Sequence, residues 1–183
     1  MMKITRVDLK LKLNPREQNM YASAFLTIKN PSPIIDLMIN NELQWLEVTS
    51  EFKGKRTYFT PEEKSVLENN FLKSVKIWSV ELPEEMQNLD ELLLSVRYSG
   101  QIEPDPGSTN YLTAKGVKLG LSAAYYPLIN ITDKLSFSLI LQGPKGWSWI
   151  MNSEKLKDCN CEIWVSDEPK NELYLVGNPE DNR

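Results

Sequence analysis

The stretch ELLLSVRYSGQI, which covers residues 91–102, decides the fold class of this chain. Its apolar side chains recur at every second position and alternate with mostly polar ones. A period of two places the apolar set on one face of a β-strand and the polar set on the other. The apolar face of this predicted strand consists of Leu92, Leu94, Val96 and Tyr98.

The same alternation recurs along most of the sequence. Residues 4–13 and 21–29 alternate cleanly, and the polar residues between them predict an antiparallel pair. Further strands are predicted from shorter apolar runs bounded by proline, glycine and asparagine. These runs are Ile34–Ile39, Gln44–Phe52, Leu72–Leu82, Val117–Ala124, Leu135–Leu141 and Trp147–Met151, with a last hairpin formed by Cys161–Val165 and Glu172–Val176. We therefore predict a mainly β fold, an antiparallel sandwich or a set of saddle-shaped curved sheets.

One helix signal interrupts this pattern. Thr60-Pro61-Glu62-Glu63 has the composition of a capping box, with a hydroxyl at the N-cap, proline at the first helical position and glutamate at the third. We expect one short helix near residues 60–71, packed against the sheet.

Length and charge limit the classes of protein and partner. The chain has 183 residues, within the common domain range of about 50–250, and we expect one domain over residues 1–178 with a frayed tail at 179–183. The net charge is −4 and no basic cluster stands out, so a nucleic-acid partner is not expected. The sequence contains no apolar run of the roughly 20 residues that a membrane-spanning helix needs. Without a signal-peptide pattern, a cytoplasmic location is the default expectation.

The chain has no histidine. Histidine is the usual general base near neutral pH and the commonest metal ligand, so we expect no catalytic residue, no bound metal and no cofactor. Cys159 and Cys161 are too few for a four-ligand zinc site and are interpreted as small side chains on one face of a strand. A carboxylate-only enzyme would need two convergent acids, and the sequence places no such pair.

Three motifs follow one another at a characteristic spacing. They are Tyr98-x-Gly100-x-Ile102, then Tyr125-Tyr126-Pro127, then the run FSLILQGPKGW over residues 137–147. In this order they resemble the N-terminal saddle-like β domain of the M1 metallopeptidases, the aminopeptidase N family. Residues 36–43 and the closing LYLVG at 173–177 are similar to further parts of that domain. The resemblance covers roughly residues 4–177 and implies that domain's fold.

The departures from the family pattern decide what the resemblance implies about function. The catalytic unit of the family carries H-E-x-x-H and G-x-M-E-N motifs, and neither is present here. Residues 117–122, which match a strand that often reaches the family's active site, offer no carboxylate or amide. The resemblance thus implies a non-catalytic scaffold or interaction domain. It would pack against a catalytic zinc-peptidase domain that is absent from this chain, in cis or in trans, and shape one wall of a peptide cleft.

An aromatic strip supports an alternative. Trp147 and Trp149 are two positions apart, so they share one face of a predicted strand, and we expect Tyr126 and Tyr111 nearby. Exposed aromatic side chains in such a strip would suit a stand-alone peptide- or glycan-binding module. Core or interdomain packing is the other use of these side chains.

Overall fold

The computed structural model describes residues 1–67, 75–103, 109–156 and 162–180. Within these ranges its regular secondary structure is almost entirely β-strand. The strands are β1 (Lys3–Asn14), β2 (Asn19–Lys29), β3 (Ile34–Asn40), β4 (Leu43–Phe52), β5 (Lys55–Phe59), β6 (Glu62–Leu67), β7 (Val75–Glu81), β8 (Glu91–Gln101), β9 (Tyr111–Thr113), β10 (Gly116–Leu119), β11 (Leu135–Gln142), β12 (Trp147–Met151), β13 (Glu154–Leu156), β14 (Glu162–Lys170) and β15 (Leu175–Pro179). Two single 3₁₀ turns, Glu84–Met86 and Leu121–Ala123, are the helical segments of the described residues.

The strands form three sheets. The largest has eight strands in the order β13-β14-β11-β1-β2-β8-β4-β5, a second has the order β12-β15-β10-β9, and a third has the order β3-β7-β6. The expected antiparallel pairing of β1 with β2 is confirmed. On its other edge β1 pairs with β11 in parallel, so the large sheet is mixed rather than purely antiparallel.

One cluster of buried side chains includes residues from all three sheets, so the two smaller sheets lie against one face of the large sheet. That inner face follows the alternation seen in the sequence: Leu92, Leu94, Val96 and Tyr98 of β8 are all at most 2% exposed. The opposite, outer face carries the polar positions of the same strands together with several exposed apolar side chains.

The register shifts at four places in the described strands. The shift is one residue between Ile4 and Arg6, Trp45 and Glu47, and Glu63 and Ser65, and two residues between Leu135 and Phe137. Such bulges bend the strand and increase its local twist. The predicted fold class, mainly β with curved sheets, is confirmed.

The helix expected near residues 60–71 is wrong over the part that the structure describes. Residues 62–67 form β6, which pairs antiparallel with β7, and residues 68–71 lie outside the described ranges. A two-turn helix is marginal by itself. Without β6, one edge of β7 would have no partner strand, because β3 occupies only the other edge. Pairing at that edge satisfies the backbone of both strands and outweighs the local capping signal.

Two other strand predictions need correction. The strand predicted over residues 117–124 ends at Leu119, because the backbone N–H groups of Gly120 and Leu121 donate to side-chain oxygens of Asn110 and Glu172, and a 3₁₀ turn follows. The last hairpin is also wrong. β14 pairs with β11 and β13, whereas β15 pairs with β10 and β12, so the two strands belong to different sheets.

The domain boundary expected at residue 178 stays a prediction, and the ordered contacts of the last described residues are as follows. β15 continues to Pro179, and the backbone N–H of Glu180 donates to the carbonyl of Gly146 at 2.7 Å. Residues 181–183 lie outside the described ranges, as do Cys159 and Cys161, so the interpretation of the two cysteines remains a prediction.

Candidate functional site

A cleft of about 820 Å³ lies at one end of the outer face of the large sheet. Outward-facing residues of β1, β2 and β11 line one side, and the turn that joins β11 to β12 lines the other. We call it the lysine cleft, after its three lysines. The residues that define it are Lys10, Lys12, Tyr21, Gln142, Lys145 and Trp147.

Strand register places the floor of this cleft in two cross-strand rows. Lys12 lies between Tyr21 on β2 and Gln142 on β11, and Lys10 lies one row further along β1. Lys10, Lys12 and Gln142 are exposed, and Tyr21 is 39% exposed. The floor therefore offers two cations and two uncharged polar groups to solvent.

Two tryptophans form the wall of the cleft. The rings of Trp147 and Trp149 stack with centroids 5.5 Å apart and planes inclined by 22°. Trp149 is 7% exposed, and its indole occupies the space beside Gly143 and Gly177, where a β-carbon would lie 2.4 Å and 2.2 Å from ring atoms. Trp147 is only half-buried. The buried ring of Trp149 thus supports the ring of Trp147, part of which remains accessible to solvent.

The lysines of the cleft differ from several other cations of the outer face. Arg6 pairs with Asp8 at 2.9 Å, Arg97 with Glu47 at 3.2 Å, and Lys29 with Glu91. By contrast, Lys10, Lys12 and Lys145 form no ion pair with any residue that the structure describes. A local excess of positive charge therefore remains on a chain of net charge −4.

The structure brings only part of the predicted aromatic strip together. Trp147 and Trp149 are adjacent as expected. Tyr126 is fully buried, and its hydroxyl accepts a hydrogen bond from the backbone N–H of Leu173 at 3.2 Å. Trp149 lies opposite Gly177, which in turn lies opposite the buried Val117, so these three residues share one face of the sheet. Tyr111 lies opposite Lys118, the next residue of β10, and is therefore on the other face. The ligand or interface role of these four residues stays a prediction.

Buried tyrosines connect the large sheet to the segment that precedes β15. The hydroxyl of Tyr98 donates to the carbonyl of Tyr125 at 2.9 Å, and the hydroxyl of Tyr125 donates to the carbonyl of Leu173 at 3.0 Å. The rings of Tyr125 and Tyr126 meet edge to face, with centroids 5.0 Å apart. Burial raises the pKa of all three phenols above the ordinary value for tyrosine. These side chains are structural and neutral, and they connect β8 to the segment before β15.

A second feature of the outer face is an apolar row. Phe25, Ser95, Thr49 and Tyr58 lie opposite one another on β2, β8, β4 and β5 in turn, and we call this set the Phe25–Tyr58 row. Phe25 is 48% exposed and Tyr58 is 66% exposed, and Leu93, 51% exposed, lies beside the row on β8. Apolar side chains grouped on an open sheet face are typical of a surface that meets a partner.

Two other kinds of site are absent from the part of the chain that the structure describes. Within those residues, no group of three or more cysteine, aspartate, glutamate or histidine side chains is arranged to hold a metal ion. Among the same residues, no helix has the length and apolarity needed to cross a membrane.

Sequence reasoning did not identify the two lysines of β1. Their signal was available, because Lys10 and Lys12 occupy consecutive outward positions of a strand that had been recognised. The sequence indicated the two tryptophans of the wall but not their position opposite these lysines, because the turn at residues 143–147 reaches the cleft only through the tertiary fold.

Comparison with known proteins gives a consistent result for the fold. No family model matches this sequence, and no curated protein matches it. Among solved structures, the chain is similar to an M1 zinc metallopeptidase from Deinococcus radiodurans, with a TM-score of 0.72 and 16% identity. It is also similar to yeast LTA4 hydrolase in complex with bestatin, with a TM-score of 0.71 and 13% identity.

The extent of these matches is uneven. The similarity covers 97% of this chain but 42% of the Deinococcus enzyme, and 98% of this chain but 29% of the yeast enzyme. The chain therefore spans less than half the length of the solved proteins that it resembles. At these identities the matches show the fold alone, and they confirm the fold that the resemblance to M1 metallopeptidases implies.

Proposed function

We propose that this chain is a non-catalytic scaffold domain that packs against a catalytic zinc-peptidase-like domain, supplied by the same polypeptide or by a partner. The observation that carries the proposal is the uneven extent of the structural match, almost all of this chain against less than half of each solved enzyme. The part of each enzyme that this chain does not match would correspond to the complementary domain.

The residues of this chain do not fit a catalytic zinc centre. The sequence has no histidine, and the described residues contain no group of side chains arranged to hold a metal. We therefore assign no catalytic step to it, and zinc chemistry would belong to the complementary domain. The role proposed for this chain is structural: it forms one wall of a peptide cleft.

The Phe25–Tyr58 row supports a location for the contact. It lies on the outer face of the large sheet, which neither small sheet covers, and Phe25, Leu93 and Tyr58 expose apolar surface there. Burying such surface contributes about 25 cal/mol per Å². A complementary domain that docked on this face would remove these side chains from water.

The test begins with the native product in the source cells. An antibody against this chain recovers the product, and intact mass and proteomic identification show its size and its companions. A polypeptide much larger than 21.1 kDa with an H-E-x-x-H-like remainder, or a co-purifying chain of that type, is the expected result. A product of about the calculated mass that recovers no peptidase-like chain would overturn the proposal.

Site-directed variants then test the docking face. The double substitution Phe25→Asp and Leu93→Asp should weaken association with the separately expressed complementary domain by at least about tenfold, an effect of ~1.4 kcal/mol. Ile150→Asp is the matched control, because Ile150 is 65% exposed on a strand of a different sheet. Equal affinity for the double variant and the control would exclude the Phe25–Tyr58 row as the contact.

A further inference from the structure

We propose that the lysine cleft binds an extended acidic peptide segment of a partner protein. The site is separate from the Phe25–Tyr58 row, and its occupation needs no catalytic domain. Three observations support it: the spacing of two lysines, the charge of the cleft and the half-buried tryptophan on its wall.

The spacing of the lysines matches the repeat of an extended chain. Lys10 and Lys12 are two positions apart on β1 and project from the same face, so strand geometry separates them by about 6.6 Å. An extended peptide with the pattern Glu-x-Glu has the same repeat on one of its faces. Both carboxylates of such a peptide reach a lysine without either chain bending.

The charge of the cleft favours an anionic occupant. Lys10, Lys12 and Lys145 have no acidic partner among the described residues, whereas Arg6, Arg97 and Lys29 on the same face are each paired. Glu162, the one acidic residue among the described residues that line the cleft, forms an ion pair with Lys155. An acidic segment would therefore meet three uncompensated cations, and the attraction would assist its encounter with the site.

The size and the wall of the cleft favour a peptide over a small inorganic anion. A volume of about 820 Å³ falls in the usual range of ligand pockets, about 300–1,000 Å³. Trp147 presents the accessible part of a ring that Trp149 holds in place. An apolar side chain next to the Glu-x-Glu pattern would pack on that ring, a contact that an inorganic anion cannot make.

The test measures the fluorescence anisotropy of a labelled acetyl-Leu-Glu-Thr-Glu-Leu-amide titrated with the full chain at low ionic strength. We expect saturable binding that weakens as salt is added. The double substitution Lys10→Ala and Lys12→Ala should weaken it about tenfold. Lys53→Ala with Lys55→Ala is the matched control, since it removes the same charge at the β4–β5 turn and should leave the affinity unchanged. Trp147→Ala should also weaken binding, and Trp147→Phe should retain most of it.

Three outcomes would overturn the proposal. One is no saturable binding of the acidic peptide, and another is equal affinity for a peptide in which both glutamates are replaced by glutamine. The third is full displacement of the peptide by inorganic phosphate at an equal concentration, which would reveal a site for small anions. Both lysines are exposed, so their removal does not threaten the fold, and circular dichroism of each variant confirms this. Because only this chain and a peptide are used, the result is independent of the proposed scaffold role.

Discussion

The hydroxyl of Tyr98, at the end of the apolar face of β8, donates a hydrogen bond to the backbone carbonyl of Tyr125 at 2.9 Å, and both residues are fully buried. This contact joins the large sheet to a segment that has no regular strand of its own. An unpaired buried carbonyl is costly, so the bond helps to hold the 124–128 segment against the core, together with backbone hydrogen bonds between this segment and β3.

Removing that hydroxyl gives the first prediction. Tyr98→Phe leaves the carbonyl of Tyr125 buried without this donor and should lower the free energy of unfolding by about 1–3 kcal/mol. Urea unfolding followed by circular dichroism measures the change. Tyr58→Phe is the control, because Tyr58 is 66% exposed, and it should change stability by less than about 0.5 kcal/mol. A similar loss in both variants would contradict the assignment.

The second prediction concerns alkaline pH. Burial raises the pKa of Tyr98, Tyr125 and Tyr126 in the folded protein, so the folded state holds phenolic protons that the unfolded state releases above pH 10.0. This contribution to stability is fully present below the unfolded pKa and is lost as the pH rises above it. The free energy of unfolding should fall by up to about 4 kcal/mol per pH unit for three phenols. Urea midpoints above pH 10 test this, and Tyr98→Phe should reduce the slope by about a third.

A third prediction tests the packing behind the cleft wall. A β-carbon at Gly177 would lie 2.2 Å from Cζ3 of Trp149, so Gly177→Ala should cost about 1–3 kcal/mol through overpacking. In a Trp149→Leu background the same substitution should cost at least about 1 kcal/mol less, because the obstructing ring is gone. Additive losses in this double-mutant cycle would show that the ring is not what limits the space at Gly177.

The fourth prediction concerns the small three-stranded sheet. Ser79 donates a hydrogen bond to Asp36 at 2.6 Å across β7 and β3, and Lys64 lies 3.1 Å from the same carboxylate. The hydrogen bond from Ser79, followed by Lys64, holds the pKa of Asp36 below its ordinary value. The stabilisation is therefore present above the unfolded pKa and is lost as the pH falls through the lower folded value.

Carbon-detected NMR titration of the Asp36 carboxyl tests these two causes. Ser79→Ala should raise its pKa, because the hydroxyl hydrogen bond is the largest single influence, and Lys64→Ala should raise it as well. Ser95→Ala, a serine substitution in a different sheet, should leave it unchanged. An unchanged pKa in Ser79→Ala would contradict the role of the hydroxyl.

The sequence predicted what depends on neighbouring residues and failed where distant segments compete. Alternation identified β1, β2 and β8 and their inner faces, since period-two burial is visible locally. The capping signal at Thr60 was also local, but the free edge of β7 outweighed it. The i, i+2 spacing placed Trp147 and Trp149 together, whereas the burial of Tyr126 depends on Leu173, 47 positions along the chain. No local pattern reports such a contact.

The parallel pairing of β1 with β11 has a consequence for synthesis on the ribosome. Asp8 and its hydrogen-bonded neighbour Ser138 are 130 positions apart, so one edge of the first strand has no partner until most of the chain has been made. Contacts of such long sequence separation form slowly, and an unpaired strand edge invites association with other chains. The nascent chain should therefore depend on chaperone protection until β11 emerges, and ribosome-stalled chains that end before residue 135 should be protease-sensitive and prone to aggregate.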